Sequence, residues 1–242
     1  MIVVIPARFA STRFPGKALA DLAGKSVLRR CFEQVAKAVE PGVIYVATDD
    51  DRIVAECDKY GMQSVMTSTS CLTGTDRVAE VARQIDASWY INVQGDEPFL
   101  DPRGVRAVID AVKSAPDHLA VFNAYAPITT EHDFRSVSVP KVVTTPEGTL
   151  LYISRGAIPT TKQLEFKGAS RQVGLYAFRA SALHHFADQP QKTPLESLED
   201  IEILRFLELG YQVVMINVPE NGIAIDTPED LSRAKALLTE RG

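Results

Sequence analysis

Residues 1–17 read Met1-Ile2-Val3-Val4-Ile5-Pro6-Ala7-Arg8-Phe9-Ala10-Ser11-Thr12-Arg13-Phe14-Pro15-Gly16-Lys17, in which a short apolar run opens into a basic loop bearing proline and glycine. A run that is apolar at every position, not at every second one, marks a strand buried on both faces. The pattern then repeats. Residues 27–39 carry apolar side chains at Val27, Leu28, Cys31, Phe32, Val35 and Val39, a helical period that Pro41-Gly42 stops before an apolar strand at 43–47. A helix at 51–60, a strand at 63–66, a helix at 75–85, a strand at 89–93 and a helix at 102–113 follow on the same reading.

This order of elements predicts an α/β protein with a Rossmann-like, mostly parallel sheet and helices on both faces. From Leu119 the rhythm changes, because 120–127, 139–144, 149–154 and 172–179 are strand-like with only turns and loops between them. An inserted antiparallel, strand-rich lobe is expected there. Helices at 181–187, 197–209 and 228–238 and a strand at 212–218 complete the chain, and the polar stretch 160–170 reads as a mobile loop.

The chain has 242 residues, 45% of them hydrophobic and 24% charged, enough to bury a core in one large domain or in a domain with a smaller lobe. Lys plus Arg number 26 against 31 Asp plus Glu, a net charge of −5 that disfavours a general nucleic-acid binder but leaves room for basic pockets. Cys31, Cys57 and Cys71 are too few and too scattered for a disulfide framework or a structural zinc site. No basic segment precedes the first apolar run, and no apolar stretch approaches the roughly 20 residues that span a bilayer. A soluble, cytoplasmic protein with no membrane insertion is expected.

In an open α/β sheet, ligands sit beyond the carboxyl ends of the strands. Arg8, Arg13 and Lys17 fall at that edge, where they can balance the charge of a triphosphate, and Gly16 lets backbone approach the oxygens. The loop is neither a P-loop nor a dinucleotide fingerprint, and a merely solvated basic loop is the plainer alternative. The strand at 89–93 ends in Gln94-Gly95-Asp96-Glu97-Pro98 at the same edge. Mg²⁺ binds through one or two carboxylates plus substrate phosphates, so Asp96 is a candidate ligand, although Asp also favours turns. In Asp226-Thr227-Pro228-Glu229-Asp230, helix capping accounts for Thr227, Pro228 and Asp230 but not for Asp226, a candidate second ligand. Gly74-Thr75-Asp76-Arg77 opens a helix, and either capping or nucleotide contact would account for it. The four histidines lack metal-ligand spacing, the serines lack a nucleophile elbow, and Glu196, Glu199 and Glu202 form a stripe that is more often solvated than functional.

The motifs Ile5-Pro6-Ala7-Arg8, Ser11-Thr12-Arg13, Pro15-Gly16-Lys17, Thr48-Asp49-Asp50, Gly74-Thr75-Asp76-Arg77 and Val93-Gln94-Gly95-Asp96-Glu97-Pro98, continued by Leu151-Tyr152-Ile153-Ser154-Arg155, Gly174-Leu175-Tyr176 and Asp226-Thr227-Pro228-Glu229-Asp230, cover nearly the whole chain. In this combination the sequence resembles the 3-deoxy-manno-octulosonate cytidylyltransferases, the CMP-Kdo synthetases. The resemblance implies that CTP and Kdo give CMP-Kdo and pyrophosphate, for lipopolysaccharide assembly, with Mg²⁺ as cofactor. It implies that Arg8, Arg13 and Lys17 hold the triphosphate, with Ala7, Ser11 and Gly16 in the same loop, and that Gln94, Thr75, Asp76 and Arg77 contact the nucleoside. Asp96 and Asp226 would ligate the metal; Arg155, Gln172, Tyr176 and Glu202 would face the sugar acid. It also implies a homodimer formed through residues 119–179. The expected division is a nucleotide-binding domain of 1–118 with 205–242, and a sugar-binding and dimerisation lobe of 119–204.

Three positions depart from the family pattern. Cys71-Leu72-Thr73 stands where a His-containing loop is usual, Gln172 where a His is usual, and Ile203 where a Gln is usual. The last two are expected on the sugar side, which leaves open the same reaction on another ulosonic acid, amino-substituted or sialic-acid-like. A non-catalytic nucleotide-binding regulator is the alternative of a different class.

Overall fold

Strand β1 (Ile2–Pro6) is buried at every position, as its unbroken apolar run requires, and its side chains divide between two cores. The computed structural model describes residues 1–11, 13–219 and 223–241, so Thr12 of the basic loop lies outside the described residues. After β1 a small hairpin, β2 (Asp21–Leu22) and β3 (Lys25–Ser26), leads into α1 (Val27–Val35), whose N-cap Ser26 accepts from Arg29 N–H. Then follow β4 (Ile44–Thr48), α2 (Asp51–Tyr60), β5 (Gln63–Met66), α3 (Gly74–Gln84), β6 (Trp89–Val93) and α4 (Pro102–Lys113). Local signals set these bounds: Asp50 and Asp101 cap α2 and α4, Pro102 opens α4, and Gly61 closes α2 in the left-handed conformation.

The second half contains β7 (Val121–Ile128), α5 (Glu131–Arg135), β8 (Lys141–Thr144), β9 (Leu150–Ser154), β10 (Ala169–Arg179), α6 (Ala180–Ala187), α7 (Pro194–Glu199), α8 (Ile203–Glu208), β11 (Val213–Asn217) and α9 (Pro228–Arg241). Among the described residues nine strands form one sheet, ordered β11-β7-β10-β6-β1-β4-β5, with β8 and β9 off this path. Strand β10 runs antiparallel to both β6 and β7, while the β1–β4, β1–β6, β4–β5 and β7–β11 pairs are parallel. The mostly parallel sheet with added antiparallel strands is therefore the observed architecture. The segment 119–204, expected as a lobe, contributes four strands to this common sheet: β7 and β10 lie within its main order, and β8 pairs antiparallel with β10 and with β9.

One continuous helix was expected over 197–209, because the apolar period runs through it. The chain instead breaks at Asp200, which takes a positive φ of 51°, and forms α7 and α8. Within 160–170, expected as a mobile loop, Phe166 stacks on Phe134 of α5 with ring centroids 5.0 Å apart.

One core packs α1, α2 and α4 against the sheet; the other packs α3, α6 and α8 on the opposite face. The second core contains a stack in which the Phe206 ring lies 4.9 Å from Phe178 and 4.7 Å from Phe186, all three fully buried. Removing the central ring leaves a cavity that rigid neighbours cannot refill. Phe206→Ala is expected to cost about 3–5 kcal/mol of stability, read as a lowered denaturant midpoint with an unchanged slope.

Candidate active site

The loops that follow β1, β5 and β6 meet the segments before α8 and α9 around a cavity of about 550 Å³. Ala7, Arg8, Ser11, Arg13, Lys17, Arg77, Gln94, Asp96, Arg155, Gln172, Tyr176, Glu202 and Asp226 line it; Gly16, Thr75 and Asp76 do not. Close backbone approach builds the floor. A Cβ on Gly95 would stand 2.7 Å from Pro6 O, one on Gly74 would stand 3.0 Å from Gln94 Nε2, and one on Gly174 would stand 3.0 Å from Gln94 Cβ and Glu97 Oε1. Glycine at 95 lets the end of β6 close on the end of β1, and glycines at 74 and 174 let the start of α3 and the middle of β10 press against Gln94. Gly16 serves its turn in a different way: it takes φ 73°, and its N–H donates to Phe9 O (2.8 Å) instead of facing a ligand.

Lys17 Nζ lies 2.5 Å from Asp96 Oδ2 and 3.0 Å from Asp226 Oδ1, and Arg13 lies 3.3 Å from the same Asp226 oxygen. Burial alone would lower the Lys17 pKa, but the two aspartates outweigh it and hold the ammonium above the ordinary lysine value. Burial likewise opposes ionisation of Asp226, and Lys17 and Arg13 overcome it and hold its carboxyl below the usual range. Asp96 and Asp226 come together although 130 residues separate them, because Ile225 N–H donates to Asp96 O (2.9 Å) and Asp230 caps the turn that follows. The two carboxylates already share one cation, and their hard oxygens suit Mg²⁺. Among the described residues no group of three or more His, Cys, Asp or Glu forms a metal cluster, so substrate oxygens would complete the coordination sphere.

Part of the Gly74-Thr75-Asp76-Arg77 motif is engaged in holding the start of α3, while Gly74 and Arg77 also line the cavity. Glu202 accepts from Gly74 N–H (3.0 Å), Thr75 N–H (2.9 Å) and Thr75 Oγ1 (2.5 Å), and Thr73 Oγ1 accepts from Asp76 N–H (3.2 Å). The first amides of α3 are thus satisfied within the chain. Asp76 also meets the fully buried Arg205 (3.0 Å), which forks onto Glu196 at 2.6 and 2.7 Å. Arg77 pairs with Asp49 (2.9 Å). Burial pushes the Glu202 carboxyl above its usual range against those hydrogen bonds.

Arg155 crosses from the end of β9 to α7: Nε donates to Glu199 O (2.5 Å), Nη1 to Val137 O (2.9 Å) and Nη2 to Asp200 O (3.0 Å). The buried Lys141 ammonium holds the Arg155 carbonyl (2.6 Å). Burial, with Glu202 and Glu97 nearby, pushes the Tyr176 hydroxyl well above the usual phenol value, so it remains a proton donor. Ile203, expected on the sugar side, is fully buried in the core of α3, α6 and α8 and does not line the cavity.

The sequence reading passed over Glu97, although the acidic pair Asp96-Glu97 signals it. Its carboxyl lies beneath the site, accepts from Gly174 N–H (3.2 Å), and is pushed up to about 7 by burial and then by Asp96. Since the folded pKa exceeds the unfolded one, the folded state binds more protons between about pH 4.5 and 7, and stability falls as pH rises through that window. Glu97→Gln keeps the acceptor and removes the charge. It is expected to be more stable than the parent at pH 8, by on the order of 3 kcal/mol, with the pH dependence over that window flattened in urea titrations.

Residues 2–216 match the family model described as Cytidylyltransferase. The chain is 40% identical over 244 residues to the 3-deoxy-manno-octulosonate cytidylyltransferase of Syntrophotalea carbinolica, covering 97% of each chain. It is 43% identical over 244 residues to that of Geotalea uraniireducens, covering 95% of each. The solved structure of CMP:2-keto-3-deoxy-manno-octonic acid synthetase complexed with CTP superposes with a TM-score of 0.90 at 33% identity, over 100% of this chain and 99% of that one. Full-length identity at this level, with the same fold and with the motifs gathered at one cavity, places the chain in the cytidylyltransferase family, among the 3-deoxy-manno-octulosonate cytidylyltransferases.

Proposed function

We propose that the protein activates Kdo, transferring the cytidylyl group of CTP to a hydroxyl of the sugar acid to give CMP-Kdo and pyrophosphate for lipopolysaccharide biosynthesis. One observation carries the site assignment: Lys17, Arg13, Asp96 and Asp226 converge at one end of a cavity whose wall also holds Arg155, Gln172 and Tyr176. Such a transfer needs orientation and charge neutralisation more than a covalent nucleophile. Arg8, Arg13 and Lys17, with Ser11 and the Ala7 backbone, would neutralise and align the triphosphate. Gln94, against which Gly74 and Gly174 press, would read the nucleoside, with Arg77 on the same cavity, while Thr75 and Asp76 shape that wall through their hydrogen bonds.

Asp96 and Asp226 would hold Mg²⁺, which when bound supplies charge that acidifies the attacking hydroxyl and offsets the phosphate oxygens. Arg155 has five N–H groups, of which three already bind backbone carbonyls, and the others can meet the carboxylate of a sugar acid. Tyr176 would donate its proton to the same ligand, and Glu202 would shape that wall from the start of α8. A nucleotide sensor would have no use for two carboxylates gathered on one cation. An amino-substituted or sialic-acid-like ulosonate remains the competing acceptor, on the strength of Gln172.

The cytoplasm, where CTP is available and free cysteines persist, is the proposed site of action; Cys31, Cys57 and Cys71 are unpaired with one another. No helix among the described residues is long and apolar enough to cross a membrane. A homodimer would cover the region around β8 and β9, where Leu151 of β9 and Val137 and Leu164 of the flanking loops are 58%, 68% and 62% exposed. Sedimentation equilibrium at micromolar concentration is expected to give twice the 26.5 kDa chain mass; a single chain mass would refute the dimer.

Pyrophosphate release from CTP by the purified protein, assayed across a panel of ulosonic acids, tests the assignment, with Kdo expected to be used best. Lys17→Ala is expected to lose about 2–4 kcal/mol of transition-state stabilisation, a drop in kcat of roughly a hundredfold or more. Asp96→Asn and Asp226→Asn are each expected to lose nearly all turnover with melting behaviour intact. Near-normal activity of both Asn variants in Mg²⁺ would refute the metal assignment.

A further inference from the structure

Asn123 lies within β7, fully buried, and faces Tyr176 across the β7–β10 pair. The two strands slip register there. Val173 faces Ala124 and Tyr176 faces Asn123, so Gly174 and Leu175 are accommodated as a bulge. The bulge turns Gly174 toward the end of β6, where its carbonyl accepts from Gln94 N–H (2.8 Å) and its N–H donates to Glu97 Oε1 (3.2 Å). The carbonyls on either side fall to Asn123, whose Nδ2 donates to Val173 O at 3.1 Å and Leu175 O at 3.0 Å.

A backbone carbonyl can only accept, so both protons of the Asn123 amide nitrogen are committed, and the amide has one orientation. Its Oδ1, which can only accept, then faces Gln172. Gln172 must offer a donor in return, and its Nε2 lies 2.8 Å from Asn123 Oδ1. Gln172 Oε1 is thereby turned away from Asn123, on a side chain that lines the cavity together with Arg155 and Tyr176.

We propose that Asn123 is a positioning residue that fixes the polarity of Gln172, so that this wall presents a carbonyl oxygen and selects a sugar acid bearing a hydrogen-bond donor, hydroxyl or ammonium, at the facing position. The inference rests on the reading of the protein as a ulosonate cytidylyltransferase. A histidine at position 172 could donate or accept toward a ligand and could gain charge near neutral pH; an amide locked by Asn123 can only accept there and stays neutral. Asn123 touches no ligand itself and acts through Gln172.

The test compares KM for Kdo and for CTP, by pyrophosphate release, in the parent, Gln172→Met, Asn123→Ala and the double variant. Gln172→Met is expected to raise the Kdo KM on the order of tenfold with the CTP KM within about twofold of the parent. Asn123→Ala is expected to reproduce part of that rise, and the double variant to be no worse than Gln172→Met alone. Additive losses, or a CTP KM that rises as much as the Kdo KM, would show Asn123 to be only a brace for the bulge and would overturn the proposal.

Gln172→Glu asks the same question without touching the bulge, should Asn123→Ala not fold. A carboxylate has no N–H for Asn123 Oδ1, so its Kdo KM is expected to exceed that of Gln172→Met, and a parent-like value would again overturn the inference. With Kdo O-methylated at single hydroxyls, one derivative is expected to lose affinity in the parent but not in Gln172→Met; no such derivative would count against the proposal. Failure of the parent to release pyrophosphate with every ulosonate would defeat the enzymatic reading itself, an outcome distinct from a normal enzyme whose Kdo KM ignores position 172.

Discussion

Backbone segments meet around Gln94 and Gly95 at distances that leave little or no room for a Cβ, and the architecture of the site follows from that contact. Gly95 brings the end of β6 against Pro6 of β1, Gly74 brings in the start of α3, and Gly174 brings in β10. The β10 bulge is part of the same arrangement, because Gly174 bonds Gln94 and Glu97 instead of continuing the ladder with β7. With the strand ends drawn this close, Asp96 projects from the loop after β6 toward the loop after β1, and Lys17 meets it at hydrogen-bond distance. Placing carboxylates, an ammonium and a guanidinium within a few ångströms would be costly if each stood alone. Here each charge has an opposite neighbour, which lets the group be partly withdrawn from water.

The segment that carries α7 and α8 is tied down by buried ionic contacts. Arg205, fully buried, forks onto Glu196, reaches Asp76 of α3, and stacks over the Phe186 ring. Glu196 closes the capping box of α7, so a single carboxylate serves a helix terminus and an ion pair. Such a network earns its stability through satisfied partners, and loss of one member would leave the others charged and buried.

Much of the fold was legible because apolar runs and their punctuation were unambiguous. The bounds of α2, β5, β6 and α4 follow from runs closed by Asp, Gly or Pro. The place of β10 between β6 and β7 was not legible, since strand pairing is long-range and a strand's own residues do not name its neighbours. The break at Asp200 was hidden by an apolar period that runs across it. At the site, Lys17, Asp96 and Asp226 stood out as charges at strand and helix ends. Asn123 sits in an otherwise apolar strand and acquires meaning only from the carbonyls that a bulge exposes, and Ile203 shows that adjacency to Glu202 in sequence does not place a side chain in the same cavity.

Glu202 has a double allegiance. It lines the cavity on the side of α8, yet its oxygens are occupied by the first amides of α3 and the hydroxyl of Thr75. A ligand hydroxyl that draws on those oxygens does so in competition with the opening turn of α3, the helix that flanks Gln94. The two walls of the cavity therefore share one set of acceptor lone pairs.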